Sequence, residues 1–157
     1  MPNPSQRLFM RATRYCATRE RAPQEVRRYL ERHGASGAEI GTILDQLQQG
    51  GFLDEARYAR AFARDRARFS GWGSLKIAAA LRAKSLPQST IDQALATVRE
   101  EGDTPDLSSI LRKKRGTLKP DLGPHELKVR LMRFAASRGF AYEEAIEHID
   151  RLLRHEP

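Results

Sequence analysis

The sequence predicts an all-α protein of three tandem three-helix repeats that form an elongated, curved helical solenoid. Apolar residues recur three and four positions apart along nearly all of its 157 residues, as one buried face of an α-helix requires. Glycine and proline interrupt this pattern at short intervals, which limits each helix to about three turns. The apolar pattern itself also recurs, and tandem helical repeats bury their faces against their neighbours.

The recurrence is clearest between the first and second thirds of the chain. A displacement of 51 residues places five apolar positions on apolar positions without a gap. The pairs are Val26 with Ile77, Leu30 with Leu81, Ile40 with Ile91, Leu44 with Leu95, and Leu47 with Val98. At the turn between the paired helices, Ser85 takes the place of Gly34.

A displacement of 105 residues gives a third, weaker copy. It pairs Val26 with Leu131, Gly34 with Gly139, Leu44 with Ile149, and Leu47 with Leu152. It weakens where Leu30 meets Ala135 and where Ile43 meets His148. A further helical stretch precedes each helix pair, over roughly 8–19, 54–69 and 107–115. We therefore predict a first repeat with a short N-terminal tail over residues 1–50, a second over 51–101, and a third, with a Pro/Gly-containing loop, over 102–157.

Residues at the helix boundaries support these elements. Pro23 suits the first turn of the second helix. Ser36 and Glu39 have capping-box spacing at the start of the third helix. Asp54 and Glu55 begin the fourth helix, where negative charge favours the helix dipole.

Composition and charge narrow the class of protein. The 28 Lys and Arg against 20 Asp and Glu give a net charge of +8 and a pI near 10.1. Such a surplus indicates a nucleic acid, a membrane surface or an acidic protein as partner, or a surface that serves solubility alone. Cys16 is the only cysteine, and no apolar run reaches the ~18 residues of a membrane span. We therefore expect a soluble cytoplasmic protein without an internal disulfide or a signal peptide.

The clearest basic feature lies on the predicted fourth helix. Four arginines, spaced three, four and four residues apart, share one helix face: Arg57, Arg60, Arg64 and Arg68. Arg66 extends from another angle of the same helix. The aromatic residues of this helix share a separate face: Tyr58, Phe62 and Phe69. We expect the aromatic residues to pack inward and the four guanidinium groups to point to solvent.

Further basic residues follow along the chain. They are Lys76, Arg82 and Lys84; Arg112, Lys113, Lys114, Arg115 and Lys119; and Lys128, Arg130, Arg133 and Arg138. On a curved solenoid they would line one surface, which fits a phosphate backbone or an acidic groove. The alternative is a set of ordinary solvated helix faces. Trp72, between two glycines, is either an aromatic binding contact or, as we favour, a cover over a small core.

Motifs for catalysis or cofactor binding are missing from the sequence. Its four histidines have no metal-ligand spacing, and we expect His148 to be a core or half-buried residue. No glycine-rich phosphate loop or nucleophile elbow occurs. We therefore expect no cofactor, no metal and no enzymatic activity. Three-helix units can imitate a helix-turn-helix, so direct reading of duplex DNA stays open.

Several segments resemble the RecX family. The most specific is Gly51 to Phe62, which follows the family pattern Gly-aromatic-Leu-Asp-acidic-x-Arg-aromatic-Ala-x-x-aromatic. Three other segments are similar to the surrounding helices: Pro23 to Leu30, Gly73 to Lys84, and Arg133 to Phe140. The resemblance covers roughly residues 8–153. It departs from the family at Ala80, where glutamate is common, and at Ser85, where a non-glycine is expected to reshape the turn.

The resemblance implies both a fold and a function. RecX-like proteins consist of tandem three-helix repeats, bind the RecA filament on single-stranded DNA, and restrain its extension, recombinase activity and coprotease activity. Contact would then run through the arginines of the fourth helix and through residues 112–115, in a monomer with no membrane partner. Two alternatives remain at this point: a general nucleic-acid-binding helical protein without a dedicated protein partner, and a scaffold whose charge serves only solubility.

Overall fold

The computed structural model describes residues 1–155, which form nine α-helices and no β-strand. The helices are α1 (Pro4–Thr18), α2 (Pro23–Arg32), α3 (Gly37–Gln49), α4 (Glu55–Ser70), α5 (Ser74–Ala83), α6 (Gln88–Glu100), α7 (Leu107–Thr117), α8 (Pro124–Ser137) and α9 (Tyr142–His155). The prediction of an all-α helical-repeat fold is confirmed. Within these residues, no helix has the length and apolar character that crossing a membrane requires.

The predicted helix starts in the first repeat are confirmed. Pro23 is the first residue of α2. Before α3, Ser36 Oγ accepts the Glu39 N–H at 3.2 Å, and Glu39 Oε1 accepts the Ser36 N–H at 3.0 Å. Asn3 and Gln6 form the same reciprocal pair at the start of α1. Each pair satisfies two of the N–H groups that a helix start leaves without a backbone partner.

The turn between the second and third helices is the same in all three repeats. Gly34, Ser85 and Gly139 adopt φ of +85°, +62° and +91°. Each donates its N–H to the carbonyl three residues earlier, and the next residue donates to the carbonyl five residues earlier. These bonds satisfy the last carbonyls of the preceding helix. The expectation that Ser85 reshapes the turn is therefore wrong, because its backbone takes the left-handed conformation that glycine takes elsewhere.

Most of the apolar positions paired by the repeat are buried, and Leu95 and Leu152 are half-buried. Val26, Ile77 and Leu131 are each at most 1% exposed. Ala135, the weaker match to Leu30, is fully buried as well. His148 is half-buried, as predicted, and its Nδ1 lies 2.8 Å from the Glu144 carbonyl oxygen.

The chain forms two compact units. One comprises Met1–Phe62 and Leu81–Ala94; the other comprises Ala63–Ala80 and the chain from Leu95 onwards. The first has a core from α1 to α3: Ala12, Cys16, Val26, Leu30, Ile40, Ile43, Leu44, Leu47 and Leu53. The second has a core from α7 to α9: Leu107, Leu111, Leu127, Leu131, Ala135, Phe140, Ala145 and Ile149. The helices α4, α5 and α6 contribute residues to both units.

The aromatic face predicted for α4 is only partly correct. Tyr58 is buried and Phe62 is half-buried, but Phe69 is 81% exposed. Phe69 lies in the last turn of α4, and Gly71, with φ of +66°, ends the helical course immediately afterwards. The spacing therefore places Phe69 on the expected face but cannot show that the face is left uncovered at its end.

Candidate partner-binding surfaces

Most arginines of the α4 stripe, defined as Arg57, Arg60, Arg64 and Arg68, have carboxylates nearby. Arg57 Nε donates to Glu20 Oε1 at 2.6 Å, and Arg68 Nε donates to Asp103 Oδ1 at 2.6 Å. The Asp103 bond raises the pKa of Arg68. Arg64 Nε lies 3.7 Å from the carboxylate of the adjacent Asp65, and Arg60 alone has no ion-pair partner in residues 1–155. The stripe is thus partly neutralised by carboxylates, each in the same unit as the arginine it neutralises, which the spacing could not show.

Trp72 lies in the second unit beside two predicted binding residues. Its ring centroid is 5.1 Å from the guanidinium carbon of Arg66 and 4.5 Å from Lys76 Nζ, within cation–π range. The indole is half-buried and lines a cavity of about 170 Å³ together with Ile77 and Phe140, among others. Trp72 therefore covers a small, largely apolar space and holds two cations close to it.

The packing of α7 and α8 brings two groups of predicted basic residues, those within 112–119 and those within 128–138, together around Phe134. Its ring centroid lies 5.1 Å from Lys114 Nζ and 5.2 Å from the guanidinium carbon of Arg138. Lys114, Arg130 and Arg133 line a surface groove at this place. Arg130 pairs with Glu126 at 3.0 Å, whereas Arg133 is exposed and has no partner in the described chain.

The run from 112 to 115 does not form a single basic face. Successive helical residues differ by about 100°, so four consecutive cations surround the helix axis. Lys114 lines the groove beside α8, while Arg112 and Arg115 line a second groove beside α9 with Arg151 and His148. Arg112 and Lys113 are exposed without a partner among residues 1–155. Arg151 was not predicted as a binding residue, because Glu147 lies four positions earlier and the spacing indicates an ion pair within the helix. That ion pair is present, at 3.1 Å.

The other predicted residues are mostly engaged locally. Arg82 Nε donates to Gln88 Oε1 at 3.0 Å. Lys84 Nζ lies 3.8 Å from Glu25 Oε1, and Lys128 Nζ lies 2.9 Å from Asp150 Oδ1. The side chain of Lys119 is exposed and has no ion-pair or hydrogen-bond partner among residues 1–155. The seventeen predicted cations therefore fall into two groups: most have a side-chain contact with another described residue, and a smaller number have none.

A further group of unpaired cations, on α1, was not predicted from the sequence. Arg7, Arg11 and Arg14 are exposed on α1 and have no ion-pair partner in the part of the chain described. Their spacing of four and three residues places them on one helix face. The available signal was the absence of any Asp or Glu from α1.

Packing and charge together define a class: a small all-α helical-repeat protein with exposed basic helix faces, suited to binding an anionic partner. The family model described as RecX, second three-helix domain, matches residues 54–95. The chain is 33% identical over 153 residues to the regulatory protein RecX of Leptothrix cholodnii, covering 98% of this chain and 93% of that protein. The chain belongs to the RecX family of regulatory proteins.

Other comparisons agree with this assignment. The regulatory protein RecX of Prosthecochloris aestuarii is 32% identical over 149 residues, which covers 95% of each protein. The crystal structure of RecX from Lactobacillus salivarius is similar with a TM-score of 0.78 at 17% identity, over 96% of each chain. A second crystal structure of a regulatory protein RecX has a TM-score of 0.77 at 18% identity, over 94% of this chain and 71% of the other. The two structures show that the helical-repeat fold is shared.

Proposed function

We propose that this chain is a negative regulator of the RecA recombinase. It binds the RecA filament on single-stranded DNA and limits filament extension, recombinase activity and coprotease activity. The observation that carries this proposal is the set of free cations on α7 and α8 in a member of the RecX family. The protein acts as a cytoplasmic monomer by occupying the filament, without catalysis and without a cofactor.

The repeat boundaries are part of the same proposal. We assign the three repeats to residues 1–50, 51–101 and 102–157. The equivalent turns at Gly34, Ser85 and Gly139 support this division, as does the match of residues 54–95 to the second three-helix domain of the family.

Free and paired cations contribute differently to such a surface. A cation that already pairs with a carboxylate must give up part of that interaction before it can bind a phosphate or an acidic side chain. A free cation binds the new anion without that loss. We therefore expect the largest contributions from the predicted residues that lack a partner within the described chain: Arg60, Arg112, Lys113, Lys119 and Arg133.

The test is the single-stranded-DNA-dependent ATPase of RecA, titrated with the full chain. The test variant is Arg112→Gln/Lys113→Gln/Arg133→Gln, which removes three free charges from the second unit. We expect the unaltered protein to inhibit at well below one molecule per RecA monomer, and the variant to need roughly tenfold more protein, because it loses electrostatic attraction to the filament.

The matched control is Arg27→Gln/Arg99→Gln/Arg154→Gln, which removes three exposed arginines outside the predicted surface. It should inhibit like the unaltered protein. Equal weakening of both variants would mean that net charge, and not this surface, determines inhibition. If the unaltered chain binds single-stranded DNA but does not inhibit RecA, the regulator proposal fails and the general nucleic-acid-binding protein replaces it.

A further inference from the structure

The first unit has an arginine surface of its own, built on α1 and α2. The α1 face carries Arg7, Arg11 and Arg14, and no acidic residue occurs anywhere in that helix. On α2, Arg28 and Arg32 are four residues apart and therefore share a face. All five arginines are exposed, and none has a salt bridge to another described residue. We call these five residues the α1–α2 arginine face.

Helix geometry places both rows on the same side of the unit. Residues 19–22 join α1 to α2, a connection of the length that makes an antiparallel helical hairpin. The rings of Tyr15 and Tyr29 stack between the helices at 4.3 Å. Successive residues of a helix are rotated by about 100° around its axis. On each helix this rotation places the tyrosine between the buried residues and the exposed arginines. The two rows of arginines therefore flank the tyrosine pair on its outward side.

The tyrosine pair is the centre of a longer column of flat groups. The guanidinium carbon of Arg21 lies 3.8 Å from the Tyr15 centroid, and the ring of His33 lies 4.2 Å from that of Tyr29. Arg21 is half-buried and covers one end of the column. His33 is exposed at the other end, and Tyr29 is the one ring within the described residues that it contacts. The column thus ends in an open aromatic surface beside unpaired arginines.

We propose that the α1–α2 arginine face binds the phosphate backbone of a single-stranded nucleic acid and that one of its bases stacks on His33. Arginine presents a planar fork of donors that suits phosphate oxygens. Proteins that hold single strands without sequence preference combine such positive surfaces with aromatic stacking platforms. An acidic protein would use the arginines but would leave the open ring at His33 without a role. This site shares no residue with the surface proposed for RecA regulation.

The first test measures binding of a short fluorescein-labelled oligothymidylate to the full chain by anisotropy, in the absence of RecA. The variant Arg7→Gln/Arg11→Gln/Arg14→Gln should bind about tenfold more weakly at low salt. Its plot of log affinity against log salt concentration should be shallower by about 2, since each phosphate contact on a single strand contributes roughly 0.7. The control Arg27→Gln/Arg99→Gln/Arg154→Gln should stay within about twofold of the unaltered chain. Unchanged affinity in the α1 variant, or an equal loss in both variants, overturns the proposal.

The second test isolates the stacking contact. His33→Ala should weaken thymidylate binding about fivefold, the lower end of what one stacked base contributes. It should not affect an abasic oligonucleotide of equal length, and His33→Phe should restore thymidylate binding. An equal loss for both oligonucleotides, or displacement of the oligonucleotide by polyglutamate at equal charge, overturns the proposal and favours an acidic protein partner. Because RecA is absent and Arg112, Lys113 and Arg133 are unaltered, failure here is distinct from failure of the regulator proposal.

Discussion

The turns at Gly34 and Gly139 occupy the same position in the first and third repeats, yet glycine is required for different reasons. Both have positive φ and the same pair of backbone hydrogen bonds. A Cβ added to Gly34 would meet no atom within 4 Å. A Cβ added to Gly139 would lie 2.4 Å from Lys76 Cβ and 2.5 Å from Lys76 N. The first turn needs glycine for its conformation alone, and the third also needs it for close packing.

The close packing at Gly139 bears on the candidate surface. Gly73 N donates to the Arg138 carbonyl at 2.7 Å, and Leu75 N donates to the Gly139 carbonyl at 3.0 Å. These bonds hold the start of α5 against the turn, and α5 carries Lys76, whose Nζ lies over Trp72. The third-repeat turn therefore positions a predicted binding residue, which the open turn at Gly34 does not do.

The largest effect in this comparison is expected from Gly139→Ala. The added methyl group overlaps the backbone of α5, so α5 must move and the two backbone hydrogen bonds weaken, in addition to the cost of positive φ. We expect the free energy of unfolding, measured by urea denaturation, to fall by about 3 kcal/mol or more. Because Trp72 is the only tryptophan, its emission in the folded protein should shift as Lys76 is displaced.

The matched control for this change is Gly34→Ala, at the equivalent turn. If Gly139→Ala lowers the free energy of unfolding no more than Gly34→Ala does, and leaves the Trp72 emission unchanged, the contact with Lys76 does not distinguish the two turns.

A smaller effect is expected from Gly34→Ala itself. Space is available for the methyl group, so the cost is that of a left-handed conformation for a residue with a Cβ, about 1 kcal/mol. Burial raises the pKa of the Cys16 thiol in the core of the same unit, and the thiolate is the reactive form. The rate of thiol alkylation in the folded variant should therefore stay as low as in the unaltered protein. Rapid alkylation would show that the substitution opens the first unit instead of only straining its turn.

The sequence predicted the features of this fold that depend on local spacing. The repeat could be found because burial at Val26, Ile77 and Leu131 is encoded directly by apolar periodicity. The capping box at Ser36 and the half-burial of His148 were found for the same reason, since each depends on neighbours within a few positions.

The features that escaped prediction depend on distant residues. Arg57 bonds Glu20, 37 positions away, and Arg68 bonds Asp103, 35 positions away. No spacing rule within α4 reveals such partners, so the most regular basic stripe could not be recognised as partly neutralised. For the arginines of α1, the sequence does contain a signal that they are unpaired, because α1 has no Asp or Glu. That signal is weak, because a carboxylate from a distant part of the chain could equally have paired with them.

The smallest effect, and the one of opposite sign, is expected from Ser85→Gly at the second-repeat turn. Ser85 is the one non-glycine with positive φ among the described residues, at +62°, so replacement by glycine relieves left-handed strain. Glycine also gains entropy in the unfolded chain, which offsets part of that relief. We expect the free energy of unfolding to rise by about 0.5 kcal/mol, and Ser85→Asn to give a smaller rise because asparagine tolerates this conformation better than most residues. If urea denaturation shows Ser85→Gly to be destabilising, the unfolded-state entropy exceeds the strain, and conformation alone cannot explain why the equivalent turns use glycine.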